Sequence, residues 1–220
     1  MPMSHKVITI AQQKGGSGKT TIASHLAVAF GQKGKRVTAI DIDPQGSFTK
    51  WHALREAKFG EGFTGINFSS ISGWRLHNEI SEFKNNSDVI IIDSPPHTQT
   101  ETKTAIRAAD LVIIPAQPSP TDLWATDDTM DIVGNERIPY RILLNRVVFN
   151  ANLTKEISGE FSKVLDTRIG NRILFASAMM DGRTVTETMP SSIAALEVKN
   201  LLKEIEALLF PVSSKIVKAA

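Results

Sequence analysis

A doubly wound α/β fold, a mostly parallel sheet flanked by helices, is predicted by three observations in these 220 residues. Short Val- and Ile-rich blocks recur and are continuous rather than alternating. Helix-length stretches separate them. A Gly-rich loop joins the first block to the first helix. Continuous blocks suit strands covered on both faces, and strands alternating with helices imply right-handed crossovers. The strand candidates are Val7 to Ala11, Val37 to Ile40, Val89 to Ile92, Leu111 to Ile114 and Ile142 to Leu144. Lys19 to Gln32 puts Ile22, Leu26, Ala29 and Phe30 on one helical face. Trp74 to Phe83, Thr121 to Val133 and Ile193 to Phe210 repeat that pattern. Ile173-Leu174-Phe175 reads as a last short strand, and residues 59–73, rich in Gly and Ser, as a surface excursion. With no long linker, repeat or low-complexity tract, residues 1–220 are expected to form a single domain.

Composition narrows the function classes. Apolar residues make up 41% and charged residues 22%, an ordinary globular mix able to bury a core. The absence of cysteine excludes disulfides, thiolate zinc sites, iron–sulfur ligation and a thiol nucleophile. Lys and Arg number 25 against 23 Asp and Glu, so any nucleic-acid contact must come from a local patch. No apolar run reaches a membrane-spanning length, and Met1 to Lys6 has no signal-peptide layout. A cytoplasmic location is expected.

The strongest motif is Gln13-Lys14-Gly15-Gly16-Ser17-Gly18-Lys19-Thr20-Thr21, directly after a strand and opening a helix. That is the context of a phosphate loop, and with it of a P-loop NTPase. Gly15, Gly16 and Gly18 let successive N–H groups, with that of Ser17, face one anion. The helix start adds its positive end. Lys19 can reach β- and γ-phosphate oxygens, the Thr20 hydroxyl is placed for Mg²⁺, and Thr21 completes the cradle. Two further motifs follow at predicted strand ends, where ligands of doubly wound sheets gather. Asp41-Ile42-Asp43-Pro44-Gln45-Gly46 carries two carboxylates that are costly there unless they serve a cation or a water. Val89 to Ile92 delivers Asp93 to a strand tip, the arrangement that holds Mg²⁺ through water.

The common phosphate loop opens with Gly; this chain has Gln13, then Lys14. The KGGxGKT form resembles the deviant Walker A loop of the ParA/MinD family of ATPases, and the DxDPQG turn resembles that family's switch motif. The resemblance implies ATP and ADP as ligands and Mg²⁺ as cofactor. It implies that Lys14 crosses to the nucleotide of a second subunit, giving a homodimer that sandwiches two ATP. It makes Asp43 the residue that positions the attacking water and Asp41 a support for Mg²⁺ through a coordinated water. Asp110 to Pro115, Pro118 to Leu123 and Met189 to Ser192 also resemble family segments. Asn145-Arg146 resembles the base-side contact, with the Asn145 amide on the adenine edge.

Within the family the missing cysteines argue against nitrogenase-type, iron–sulfur and arsenite or tail-anchor ATPases, and the lone Tyr140 against the tyrosine kinases. The tail from Phe210 to Ala220 has two lysines and Pro211, too weak for stable membrane anchoring. The ParA branch remains, with a MinD-like membrane-associated regulator as the alternative. The third reading is a metabolic ligase related to dethiobiotin synthetase, and Lys14 and the DPQG turn oppose it. The ParA resemblance implies weak ATP hydrolysis stimulated by a ParB-like or cargo-adaptor partner, non-specific DNA binding and nucleoid association. Residues 141–220 hold eleven basic against eight acidic residues. Arg168, Arg172, Arg183, Lys199 and Lys203 are the candidate DNA contacts. The chain starts almost at its first strand, so an operator-binding extension is not expected.

Overall fold

The computed structural model describes residues 5–96, 99–148, 159 and 161–211. Six strands are present among the described residues: β1 (Lys6–Ile10), β2 (Val37–Asp41), β3 (Asn67–Ser70), β4 (Val89–Asp93), β5 (Leu111–Ala116) and β6 (Tyr140–Leu144). The helices among the described residues are α1 (Lys19–Gln32), α2 (Ser47–Phe59), α3 (Gly73–Asn86), α4 (Gln99–Ala108), α5 (Pro120–Glu136), α6 (Ile173–Met180), α7 (Val185–Thr188) and α8 (Ile193–Leu209). The strands form one all-parallel sheet in the order β3-β2-β4-β1-β5-β6. Successive strand side chains point to opposite faces, and both faces are covered. Ile8, Ile10, Ala39, Ile91, Ile113 and Leu143 pack against α1, α2, α6 and α8. Val7, Ile40, Ile90, Ile92, Val112 and Ile114 pack against α3, α4 and α5. This explains why the strands other than β3 read as mostly apolar runs.

Two expectations are corrected. Ile173-Leu174-Phe175 is not a strand but the first turn of α6. Its apolar run continues into Ala-Ser-Ala-Met-Met, where Ala and Met favour a helix; Phe175 and Ala178 face the core. Residues 59–73 are not wholly an excursion, because β3 lies within them as the sheet's edge strand. Its end residues Asn67 and Ser70 are exposed, so no apolar block marks it. Residues 212–220, on which most of the membrane-anchoring argument rests, lie outside the described residues. Among the described residues no helix is long and apolar enough to cross a membrane.

The chain runs from central β1 outward to β2 and β3, returns through β4, and then crosses to β5 and β6. The carboxyl ends of β1, β2 and β4 therefore converge where the strand order reverses, the position at which such sheets bind ligands.

Candidate functional site

The loop after β1 curls through left-handed backbone at Gly16 (φ 76°) and Gly18 (φ 97°). At Gly18 a Cβ would also meet Asn145 Nδ2, so that side chain would have to shift. Gly18 caps α1 with no side-chain hydrogen bond, leaving the first N–H groups of the helix directed at the loop's interior. Lys19 is buried, and its Nζ donates to the Lys14 carbonyl at 3.3 Å. Ser17 is buried, its Oγ without a hydrogen-bond partner.

The three motifs meet around one cavity of ≈ 370 Å³ whose lining includes Gly16, Lys19, Thr20, Asp43, Gln45 and Arg146. Thr20 Oγ1 donates to Asp93 Oδ2 at 2.7 Å, while Asp93 Oδ1 is buried with no hydrogen-bond partner. Burial pushes the Asp93 carboxyl up to about 7; the Thr20 hydrogen bond and Lys19 pull against it, and Asp41 adds to it. Burial likewise lowers the Lys19 ammonium, against the pull of Asp93 and Asp43. A cation beside Asp93 and an anion beside Lys19 each favour the charged form. Hydroxyl and carboxylate oxygens with one orphaned lone-pair site are a donor set that fits Mg²⁺.

Asp41 is nearly inaccessible, and both its oxygens are engaged within the chain. Oδ1 accepts from the Asp43 N–H at 3.0 Å, and Oδ2 accepts from Thr49 N–H at 2.8 Å and Oγ1 at 2.7 Å. Burial raises its pKa against those three hydrogen bonds. Asp41 thus ties the switch turn to the first turn of α2. Asp43, half-buried, faces the cavity; its Oδ1 accepts from the Gln45 N–H at 2.9 Å.

Lys14 points away from Lys19's side of the loop. Its Nζ lies 2.5 Å from Asp122 Oδ2 and 2.9 Å from Thr121 Oγ1, at the start of α5. Asp122 is itself buried and also accepts from Ser119 Oγ at 2.6 Å. The loop's entry is tied to the same helix, and its Gly16 to the segment just before that helix. Gln12 Nε2 donates to Thr126 Oγ1 (3.0 Å), Thr129 Oγ1 donates to Gln12 Oε1 (2.8 Å), and Gln117 Nε2 donates to Gly16 O (2.9 Å). Sequence reasoning assigned no role to Gln12, Gln117, Asp122, Thr126 or Thr129. Their partners lie about a hundred positions away, so no local pattern marks them.

Asn145 directly follows β6 and is buried. Its Nδ2 donates to Ser17 O at 2.8 Å and its Oδ1 accepts the Arg146 N–H at 3.0 Å, so its amide clamps the loop. It also lines a second cavity of ≈ 450 Å³ with Thr21, Arg146, Asn171, Arg172 and Ile173. Thr21 carries α1 onward, and its carbonyl lies 2.8 Å from His25 Nδ1. His25 is fully buried, which lowers its pKa to about 4, and its Nε2 accepts the Val185 N–H at 3.2 Å.

The five basic candidates are not gathered into one open patch. Arg172 closes on Glu197 at 2.7 Å, and Arg183 faces Asp181 at 3.8 Å and donates to Glu187 O. Lys199 Nζ donates to Pro190 O at 2.8 Å. Lys199 and Lys203 are exposed one turn apart on α8, and Arg168 is half-buried.

Comparison with known proteins agrees with this geometry. Residues 8–208 match the family model described as the CobQ/CobB/MinD/ParA nucleotide binding domain. The chain is 26% identical over 215 residues to the maintenance of carboxysome distribution protein A of Halothiobacillus neapolitanus, covering 92% of this chain and 98% of that one. It is 26% identical to the chromosome-partitioning ATPase Soj of Thermus thermophilus, covering 91% and 95%. The fold superposes on the septum site-determining protein MinD of Pyrococcus horikoshii, a complex with Mg-ADP, with a TM-score of 0.80 and 20% identity over 93% of this chain and 97% of that one. The chain belongs to the CobQ/CobB/MinD/ParA nucleotide binding domain family.

Proposed function

We propose that this chain is an Mg²⁺-dependent ATPase of the ParA kind that cycles between monomer and ATP-bound dimer to partition DNA or position a cargo. The observation that carries this reading is the convergence of Lys19, Thr20, Asp43 and Asp93 on one loop while Lys14 stands at its rim. Relatives named for carboxysome distribution and chromosome partitioning support the cargo role. In this reading the loop N–H groups and Lys19 bind the β- and γ-phosphates. Thr20 and Asp93 hold Mg²⁺, with Asp41 supporting from the next strand. Bound there, Mg²⁺ neutralises charge developing on the phosphates. Asp43 orients a water toward the γ-phosphate; its carboxylate is the one acid at the cavity not committed to Thr20 or Thr49.

Lys14 gives the nucleotide its control over assembly. In the single chain its charge is neutralised by Asp122. A facing γ-phosphate offers more negative charge than one carboxylate, and ADP lacks that group. Exchange of Asp122 for the partner's ATP therefore joins two chains only in the ATP state. Dimerisation then doubles whatever basic surface each chain presents, Lys199 and Lys203 being its exposed members, and DNA is retained through counterion release. A ParB-like or cargo-adaptor protein would accelerate hydrolysis and reset the cycle.

The experiment is Asp43→Ala. Nucleotide binding should remain while hydrolysis falls by at least about a hundredfold, as for loss of a positioned general base, and the ATP-bound dimer should accumulate. Turnover at the parental rate would remove Asp43 from the reaction.

A further inference from the structure

The two cavities at the carboxyl end of the sheet have a common wall. One runs along the phosphate loop and the other lies over β6 and the start of α6; Thr21 and Arg146 line both. Thr21 contributes a short side chain. Among the described residues Arg146 contributes the one cation that lines both cavities, and three features define its setting.

Its backbone is left-handed, with φ 52°, a conformation that costs a non-glycine residue of order 1 kcal/mol or more unless the surroundings impose it. Here they do: the Arg146 N–H is held by Asn145 Oδ1, and Asn145 is fastened to Ser17 O and to Ala116 O. The clamp that shapes the phosphate loop thus also sets the Arg146 backbone. Further, the side chain is exposed, and among the described residues its guanidinium has no carboxylate or hydrogen-bond partner. Arg36, Arg55, Arg75, Arg107, Arg172 and Arg183 each face a carboxylate. Finally, the residue lines both the cavity along the phosphate loop and the cavity over β6.

We infer that Arg146 binds the α-phosphate of a nucleoside 5′-di- or triphosphate, bridging the two cavities. This rests on the nucleotide-binding reading above. A planar guanidinium matches two phosphate oxygens at once, and the α-phosphate is the group that must cross from one cavity to the other. Arg146 therefore serves ADP and ATP alike. Lys14, by contrast, distinguishes them.

The test is affinity for Mg-ADP and Mg-ATP, by calorimetric titration, of wild type, Arg146→Gly, Arg146→Asn and Arg146→Lys. Gly and Asn both tolerate left-handed backbone, so their melting temperatures should stay within a few degrees of the parent. Both variants should bind ADP and ATP about ten- to a hundredfold more weakly, by equal factors, the loss of charge-assisted hydrogen bonds. Lys should recover part of that loss. Parental affinity in the Gly and Asn variants would overturn the inference and leave the nucleotide-binding reading standing. A loss confined to ATP would also overturn it, by moving Arg146 to the γ-phosphate. A wild-type chain that binds neither nucleotide would overturn both.

Discussion

Lys19→Ala is expected to weaken Mg-ATP binding by about two orders of magnitude or more without destabilising the empty fold. The ammonium sits inside the loop, where it is buried and its pKa is lowered by that burial. Two charge-assisted contacts to phosphate oxygens, each about 1.5–3 kcal/mol, vanish with it. In the empty chain the same group is a desolvated cation whose Nζ donates to a carbonyl at 3.3 Å, and its burial outweighs the pull of Asp93 and Asp43. Removing it relieves a desolvation cost, so the melting temperature of the nucleotide-free variant should hold or rise. Calorimetric titration and a thermal melt read the two halves separately. Parental affinity for ATP in this variant would remove Lys19 from the phosphate site.

Arg55→Ala should have the largest effect on stability, a loss of about 3–5 kcal/mol, the range for breaking a buried ion pair by removing one partner. Arg55 is 4% exposed and ties α2 to two later segments. Nη2 and Nη1 meet the Glu187 carboxylate at 2.7 and 3.0 Å, Nε donates to Thr64 O at 2.7 Å, and Nη1 donates to Gly182 O at 3.2 Å. The guanidinium also lies over the rings of Phe59 and Trp51, at 4.7 and 5.6 Å. Burial pushes the Glu187 carboxyl up, but Arg55 and Thr184 more than offset it and hold the carboxyl below its usual range. Without Arg55, Glu187 is a buried charge lacking its cation. At roughly 2–4 °C per kcal/mol for a chain of this size, the melt should fall by about 10 °C. Arg55→Met combined with Glu187→Met should recover most of it, since an apolar pair of similar volume replaces the ion pair. A drop of under a degree or two in the single variant would contradict the role assigned to this clamp. Gly182 completes it: φ is 63°, and a Cβ would meet the Arg55 backbone nitrogen at 2.4 Å.

What was legible in the sequence is what local pattern encodes. Lys19 to Gln32 is helical from the loop onward, and the five strands other than β3 stand where Val, Ile and Leu cluster, because both faces of the sheet are covered. Asn67–Ser70 escaped because an edge strand with exposed ends has no apolar block. The helices α2 and α4 escaped as well: Gln99–Ala108 is dominated by Gln, Thr, Glu and Lys, and Ser47–Phe59 buries only Phe48, Trp51, His52 and Arg55. Ile173 to Met180 is charge-free, and a short apolar run has no period that separates strand from helix. In the site, the spacing of Lys19, Thr20, Asp41, Asp43 and Asp93 was readable because each sits at a strand end or loop with its own signature. The hold of Asp122 on Lys14 and that of Asn145 on Ser17 were not, since both are made by tertiary packing across more than a hundred positions.

In the proposed cycle ATP, through Lys14, decides whether two chains join. Light scattering on the Asp43→Ala chain, in which hydrolysis is expected to be lost, measures this with Mg-ATP, with Mg-ADP, and with Lys14→Gln added to the background. Twice the monomer mass is expected with ATP alone, monomer with ADP, and monomer in both nucleotides once Lys14 is replaced. The same mass in ATP and ADP, or a Lys14→Gln chain that dimerises as readily as its parent, would contradict it.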